Sequence, residues 1–218
     1  MDSSSEVIRP HQSCSDCGSS DALSVYSDGH TFCFSCQTHT PSGEESSEAP
    51  STSKKKEDLI PKDLLTISPL KKRGITSKTC EKYGYFIGDY KGKTVQVAVY
   101  YDELQEPIGQ KIRTADKTFK SIGQVSSRFF GQHLFSGGKK LVITEGEIDC
   151  LTVSQVQGNK YPVVSLPLGA SSAKKTFKAQ HKWLEGFEEV ILMFDMDKAG
   201  QEGVESVLGL LSPNKLKI

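Results

Sequence analysis

The pattern of apolar and polar positions changes rhythm along this 218-residue chain and divides it into regions. In residues 1–39, two strand-like stretches, Leu23–Tyr26 and His30–Phe34, flank the turn residues Ser27-Asp28-Gly29. Residues 40–58 carry no aromatic and no branched aliphatic side chain. Such a stretch cannot bury enough apolar surface to offset its ordering entropy, which predicts a flexible linker. A coil of that length spans on the order of 25 Å.

From Leu59 onward the pattern is mixed α and β. Short helices are predicted over 69–74 and 77–83. Residues 94–101, TVQVAVYY, alternate and are rich in β-branched side chains, as a strand requires, and 106–113, EPIGQKIR, follow as its partner. Further along, KKLVIT (139–144), PVVSL (162–166) and EVILMF (189–194) are strand-like runs. They are separated by helical patterns over 148–157 and 171–183, and a third helix is expected over 199–211. Near-continuous apolar strands alternating with helices predict a parallel sheet covered on both faces. Residues 215–218, KLKI, read as the opening of a further strand, so the chain is expected to end inside its α/β domain.

Composition adds a polarity to this layout. The formal net charge is zero, but residues 1–53 sum to −7, 54–140 to +9 and 141–218 to −2 by count of Lys, Arg, Asp and Glu. A basic middle beside an acidic last third suits a protein that binds phosphates and gathers metal ions, although a Lys-rich solvated surface gives the same count. No apolar run reaches the roughly 18 residues of a membrane span, and the first ten residues lack a signal-peptide core. Cytoplasmic residence without membrane contact is the expectation.

Four of the six cysteines form two CxxC pairs, Cys14/Cys17 and Cys33/Cys36, separated by fifteen residues. Each CxxC turn brings two thiolates to one ion, and two turns complete a tetrahedral shell. Soft thiolates in that geometry select zinc, and four of them leave no open position for catalysis. A module this small has little core of its own, so zinc binding would supply most of its folding energy. Asp28, His30 and Phe32 lie between the ligand pairs and are placed either to read bases or to pack the ribbon.

The acidic residues fall at strand ends. Glu145-Gly146-Glu147-Ile148-Asp149 follows one predicted strand, and Asp195-Met196-Asp197 with Gly200 follows another. Ligands of doubly wound sheets bind outside the carboxyl ends of the strands, where these clusters could meet. Asp195 and Asp197 would offer hard oxygen ligands to magnesium, with Glu145 contributing to the metal site or managing a proton and Asp149 orienting the site. Solvated strand-end acids and helix N-terminal charges are the plainer alternative, and Glu147 and Asp149 suit it. Cations cluster at Lys111, Arg113, Lys117 and Lys120, and Lys174 and Lys175 open the helix after Gly169. All can neutralise phosphates.

Taken in order, these motifs resemble those of the zinc-binding primases of phage primase–helicases, which are related to bacterial replicative primases. The residues that carry the resemblance are Cys14, Cys17, Cys33 and Cys36 with SDGHTFC (27–33), GQKIR (109–113), TEGEIDCLT (144–152), PVVSL (162–166), GASSAKK (169–175) and ILMFDMDKAG (191–200). The resemblance implies a zinc ribbon (1–39), the linker (40–58), a basic α/β subdomain (59–138) and a truncated Toprim-like parallel sheet (139–218). It implies synthesis of RNA primers from ribonucleoside triphosphates on single-stranded DNA. Asp28 and His30 match positions tied to template recognition, Glu145, Asp195 and Asp197 match the magnesium acids, and Lys111 and Lys117 match residues tied to nucleotide and primer handling. A replicative helicase and a DNA polymerase are the implied partners. No Walker A pattern, GxxxxGK[ST], occurs here, so helicase activity is not expected of this chain, and a later acid of the site is expected to be missing. A different class, the recombination mediators, also joins a Cys₄ zinc site to a Toprim-like domain but binds DNA without polymerising.

Overall fold

The computed structural model describes residues 5–14, 21–34, 38–40 and 58–218. Most of the expected linker, 41–57, lies outside these residues, as do Cys17 and Cys36. The chain forms two compact units, Met1–Ser53 and Lys54–Ile218.

The first unit is a four-stranded antiparallel sheet in the order β1-β2-β3-β4, formed by Val7–Gln12, Leu23–Tyr26, Thr31–Cys33 and His39–Thr40. The turn 27–29 joins β2 to β3 as the sequence predicts. All six residues of β1 are exposed. Among the described residues of this unit, only Cys14, Ser24 and Cys33 are buried.

The second unit contains two sheets. The first is antiparallel, in the order β5-β6-β7-β8-β9. Its strands are Leu65–Thr66, Tyr85–Tyr90, Lys93–Tyr101, Pro107–Arg113 and Phe119–Gly123. β7 and β8 fall where alternation predicted them. β6 and β9 were not legible, because Gly88-Asp89 interrupts one and Lys120-Ser121 the other. Gly88 sits beneath Leu65, whose Cδ2 would be 2.8 Å from an added β-carbon. α1, Ser77–Tyr83, starts at Thr76, whose hydroxyl accepts from the Thr79 amide at 3.3 Å. It ends at Gly84, which adopts φ +69° with the Tyr101 ring packed against it. The helix expected over 69–74 is a single 3₁₀ turn, Lys71–Arg73, with no buried residue to extend it.

The second sheet is parallel, in the order β11-β10-β12-β13. β10 is Gly138–Thr144, β11 Val163–Ser165, β12 Phe187–Met193 and β13 Leu216–Lys217. The connections are α2 (Glu147–Val156), then α3 (Ala173–Ala179) with α4 (His181–Leu184), then α5 (Lys198–Val207). Two helices are shorter than their patterns predict. The run 171–183 is broken at Gln180, whose side chain is drawn away to donate to the Ser127 carbonyl at 2.7 Å and accept from Gln132 at 2.6 Å. The run 199–211 stops at Val207 because Leu208 turns extended and Gly209 adopts φ +76°, which lets Leu210 and Leu211 fold back onto the core.

Phe130 locks the two sheets together. It is fully buried, with the rings of Tyr83, Tyr85 and Tyr100 at 5.8, 6.3 and 5.7 Å and with Val142 and Val163 in the same cluster. Tyr83 donates its hydroxyl to the Val163 carbonyl at 3.0 Å, so the antiparallel half is hydrogen-bonded to the edge strand of the parallel half. Truncating an aromatic in such a setting costs about 3–5 kcal/mol.

Candidate active site

The strand order decides where the acids go. β10 and β12 are adjacent and in register, with Thr144 opposite Met193. The chain leaves both strands at the same edge, so Glu145 and Asp195 emerge side by side although fifty residues apart. Glu145 is the hub. Its Oε2 accepts from the Asp195 amide at 3.4 Å and its Oε1 from the Ala170 amide at 3.3 Å, beyond the end of β11. One carboxylate thus bridges the ends of three neighbouring strands.

Asp195 and Asp197 are exposed. Asp197 is the N-cap of α5, its Oδ1 accepting from the Gly200 amide at 2.8 Å. A β-carbon at Gly200 would lie 1.9 Å from the Asp195 carbonyl oxygen, so glycine is what allows α5 to begin against the acidic loop. Asp149, in the first turn of α2, titrates above the ordinary aspartate range, first through partial withdrawal of its carboxyl from water and then through the Asp195 charge. Among the described residues, no group of three or more His, Cys, Asp or Glu is arranged to hold a metal ion.

By its position in the sequence, Glu147 suits the plainer alternative of a helix N-terminal charge or a solvated strand-end acid. Instead it is buried and receives two donors. The Tyr100 hydroxyl donates to its Oε1 at 2.7 Å, and the Lys111 ammonium lies 2.9 Å from the same oxygen. Lys111 also donates to the Pro167 carbonyl at 2.9 Å. Burial, and then the Glu147 charge, push the Tyr100 hydroxyl far above its usual range, so it remains a donor. No local signal could have found this triad, since its members come from β7, β8 and α2.

A cleft of about 420 Å³ opens over these groups. Lys111, Arg113 and Phe119 line it from the antiparallel sheet, and Glu145, Glu147, Asp149 and Asp195 from the parallel one. Other expected site residues lie elsewhere. Lys117 is exposed in the turn between β8 and β9, with φ +66°. Lys120 pairs with Ile112 on the sheet face opposite Arg113 and hydrogen-bonds the Tyr90 hydroxyl. Lys174 and Lys175 are exposed on the first turn of α3. In the first unit, the Asp28 carboxylate contacts the His30 ring nitrogen at 2.5 Å, and that ring stacks on Tyr26 at 4.0 Å. Cys14 and Cys33 are buried there.

A parallel sheet with acids at the carboxyl ends of its strands defines a Toprim-like domain, and the comparisons agree. Residues 142–218 match the Toprim-like family, and residues 66–123 match the N-terminal a+b fold of the Bacteriophage T7 DNA helicase/primase. The DNA helicase/primase of Enterobacteria phage T3 is 44% identical over 95% of this chain, which spans 38% of that protein's length. The primase fragment of the Bacteriophage T7 primase-helicase superposes with a TM-score of 0.72 at 43% identity, covering 96% of this chain and 88% of that one. T7 primase domains, in a structure with lagging-strand DNA polymerase, an RNA/DNA hybrid and dTTP, give 0.67 at 49% identity over 70% of this chain and 78% of that one. The DnaG catalytic core shares the fold at 16% identity and a TM-score of 0.52, covering 67% of this chain and 61% of that one. The chain belongs to the phage DNA helicase/primase family and corresponds to its primase part.

Proposed function

We propose that this chain synthesises short RNA primers on single-stranded DNA by metal-dependent nucleotidyl transfer. The observation that carries the reading is the cleft in which Glu145 and Asp195 face Lys111 and Arg113. Carboxylates are the hard oxygen donors that magnesium prefers, and Glu145 spends its oxygens only on two long amide contacts that an ion can displace. Asp197 commits one oxygen to its helix cap and keeps the other available. A divalent ion held by Glu145, Asp195 and Asp197 would supply charge stabilisation on the triphosphate. Arg113 and Lys111 neutralise phosphate oxygens from the opposite wall, with Lys111 anchored by Glu147. A ribose 3′-hydroxyl attacks the α-phosphorus, the α–β bond breaks and pyrophosphate leaves. Glu145 would take the hydroxyl proton, with Asp149 orienting the site. Lys117, Lys120, Lys174 and Lys175 then serve the nucleic-acid phosphates outside the cleft rather than the reacting nucleotide.

The first unit fits a structural zinc ion held by Cys14, Cys17, Cys33 and Cys36. Its described residues bury two of those thiols and almost nothing else, and a domain so poor in core needs a metal staple. Asp28 and His30, held as a pair, would read the template there. A replicative helicase and the polymerase that takes the primer are the matching partners, and the host cytoplasm is the matching location. Among the described residues, no helix is long and apolar enough to cross a membrane.

The test is incorporation of labelled ribonucleotide on a single-stranded template with magnesium. Short products that vanish in Asp195→Ala are expected. Full synthesis by that variant would discard the site, and DNA binding without any incorporation would favour a non-enzymatic recombination mediator.

A further inference from the structure

Phe119 is a large aromatic side chain left 53% exposed at the mouth of the cleft, where a packed core would normally claim it. Its backbone begins β9, the edge strand, so one flank of the ring faces β8 and the other has no neighbouring strand. Arg113 is its register partner across β8, and Lys111 lies two residues further along the same face. The Arg113 guanidinium is 5.5 Å and the Lys111 ammonium 5.2 Å from the ring centroid, and such cation–π contacts hold the ring in orientation. Leu168, 45% exposed, is the other apolar side chain lining the same cleft. Arg113 has no ion pair among the described residues.

We infer that Phe119 is the base-stacking platform for the ribonucleoside triphosphate whose phosphates Arg113 and Lys111 hold. The placement rests on the proposed active site. A nucleotide with its phosphates between Arg113 and the acids has its base within reach of a ring whose centroid lies 5.5 Å from the guanidinium. Every base offers a π face, so an aromatic platform gives affinity without choosing among bases, and the choice is left to the template. Leu168 supplies a second apolar surface against the base. The edge position of β9 leaves room for the base to enter.

The experiment compares equilibrium binding of magnesium ATP and of inorganic tripolyphosphate to the whole chain, unsubstituted and as Phe119→Ala and Phe119→Trp. Because Phe119 is exposed on an edge strand, neither change disturbs the core. Stacking predicts that Phe119→Ala weakens ATP about tenfold, that tripolyphosphate binding is unchanged, and that Phe119→Trp restores ATP affinity. Unchanged ATP binding in Phe119→Ala overturns the platform, and so does an equal loss for both ligands, which would make the ring only a support for Arg113. Failure of the unsubstituted chain to bind ATP at all would instead overturn the active-site reading, and the platform with it.

Discussion

The two sheets of the second unit arm the same cleft by different routes. The antiparallel sheet contributes from a strand face, with Lys111 and Arg113 two residues apart on β8 and Phe119 beside them on β9. The parallel sheet contributes from strand ends, with Glu145 and Asp195 just beyond β10 and β12. A face fixes side chains by register, and an end fixes them by strand order. Positive charge is therefore held in a regular element, while the acids sit in short loops. Glu147 of α2 joins the two systems by pairing with Lys111, both side chains being close to fully buried at 9% and 11% exposure.

Removing that joint is the most damaging test of the contrast. Glu147→Gln leaves the Lys111 ammonium without its counter-charge in a dry setting and is expected to cost about 3–5 kcal/mol in urea unfolding. The double variant Glu147→Gln with Lys111→Met should recover much of this stability while primer synthesis stays low. A double variant as unstable as the single one would show that the pair is not what couples the sheets.

A smaller effect is expected on the other side of the antiparallel sheet. The His133 ring lies tilted against Tyr101, with centroids 4.4 Å apart, and burial pushes its pKa down to about 4. The unfolded chain therefore takes up the proton first. The stability this group allows is present above the ordinary histidine range and is lost as pH falls toward 4. His133→Gln should lose about 2 kcal/mol less than the unsubstituted chain on acidification from about pH 7 to about pH 4, read by denaturation at each pH. Parallel curves for the two proteins would mean that His133 is not held neutral by the fold.

The smallest effect belongs to an ion pair on the parallel sheet. Lys140 and Glu189 are register partners on β10 and β12, 3.3 Å apart, with Lys140 65% exposed. Lys140→Ala is expected to cost less than about 1 kcal/mol, with a dependence on salt. A loss as large as that of Glu147→Gln would erase the distinction between a surface pair and one that joins sheets.

Several residues that line the cleft were legible in the sequence as candidates. The acids at 145, 195 and 197 stand out because each follows a run that can only be a buried strand, and the Lys111/Arg113 pair because alternation puts both on one face. Phe119 drew no notice among the cations at 117 and 120, and Glu147 stood out only as one acid of a cluster that also suits a helix N-terminus or solvent. Both depend on what lies across a sheet or beneath a helix, which no local window contains. Lys120 was grouped with Lys111 by proximity in sequence, yet its register with Ile112 turns it to the other face.

Sequence alone determined the local preferences: which segments pair as strands, where caps and glycines stop helices, and which strand ends carry charge. These follow from side-chain shape, periodicity and backbone freedom over a few residues. Tertiary structure alone decided that β10 lies next to β12, that Glu147 is buried beneath Lys111, and that Phe119 stays uncovered at an edge. Those outcomes depend on which of several energetically similar pairings of distant elements buries the most apolar surface with its polar groups satisfied, a balance struck over the whole chain.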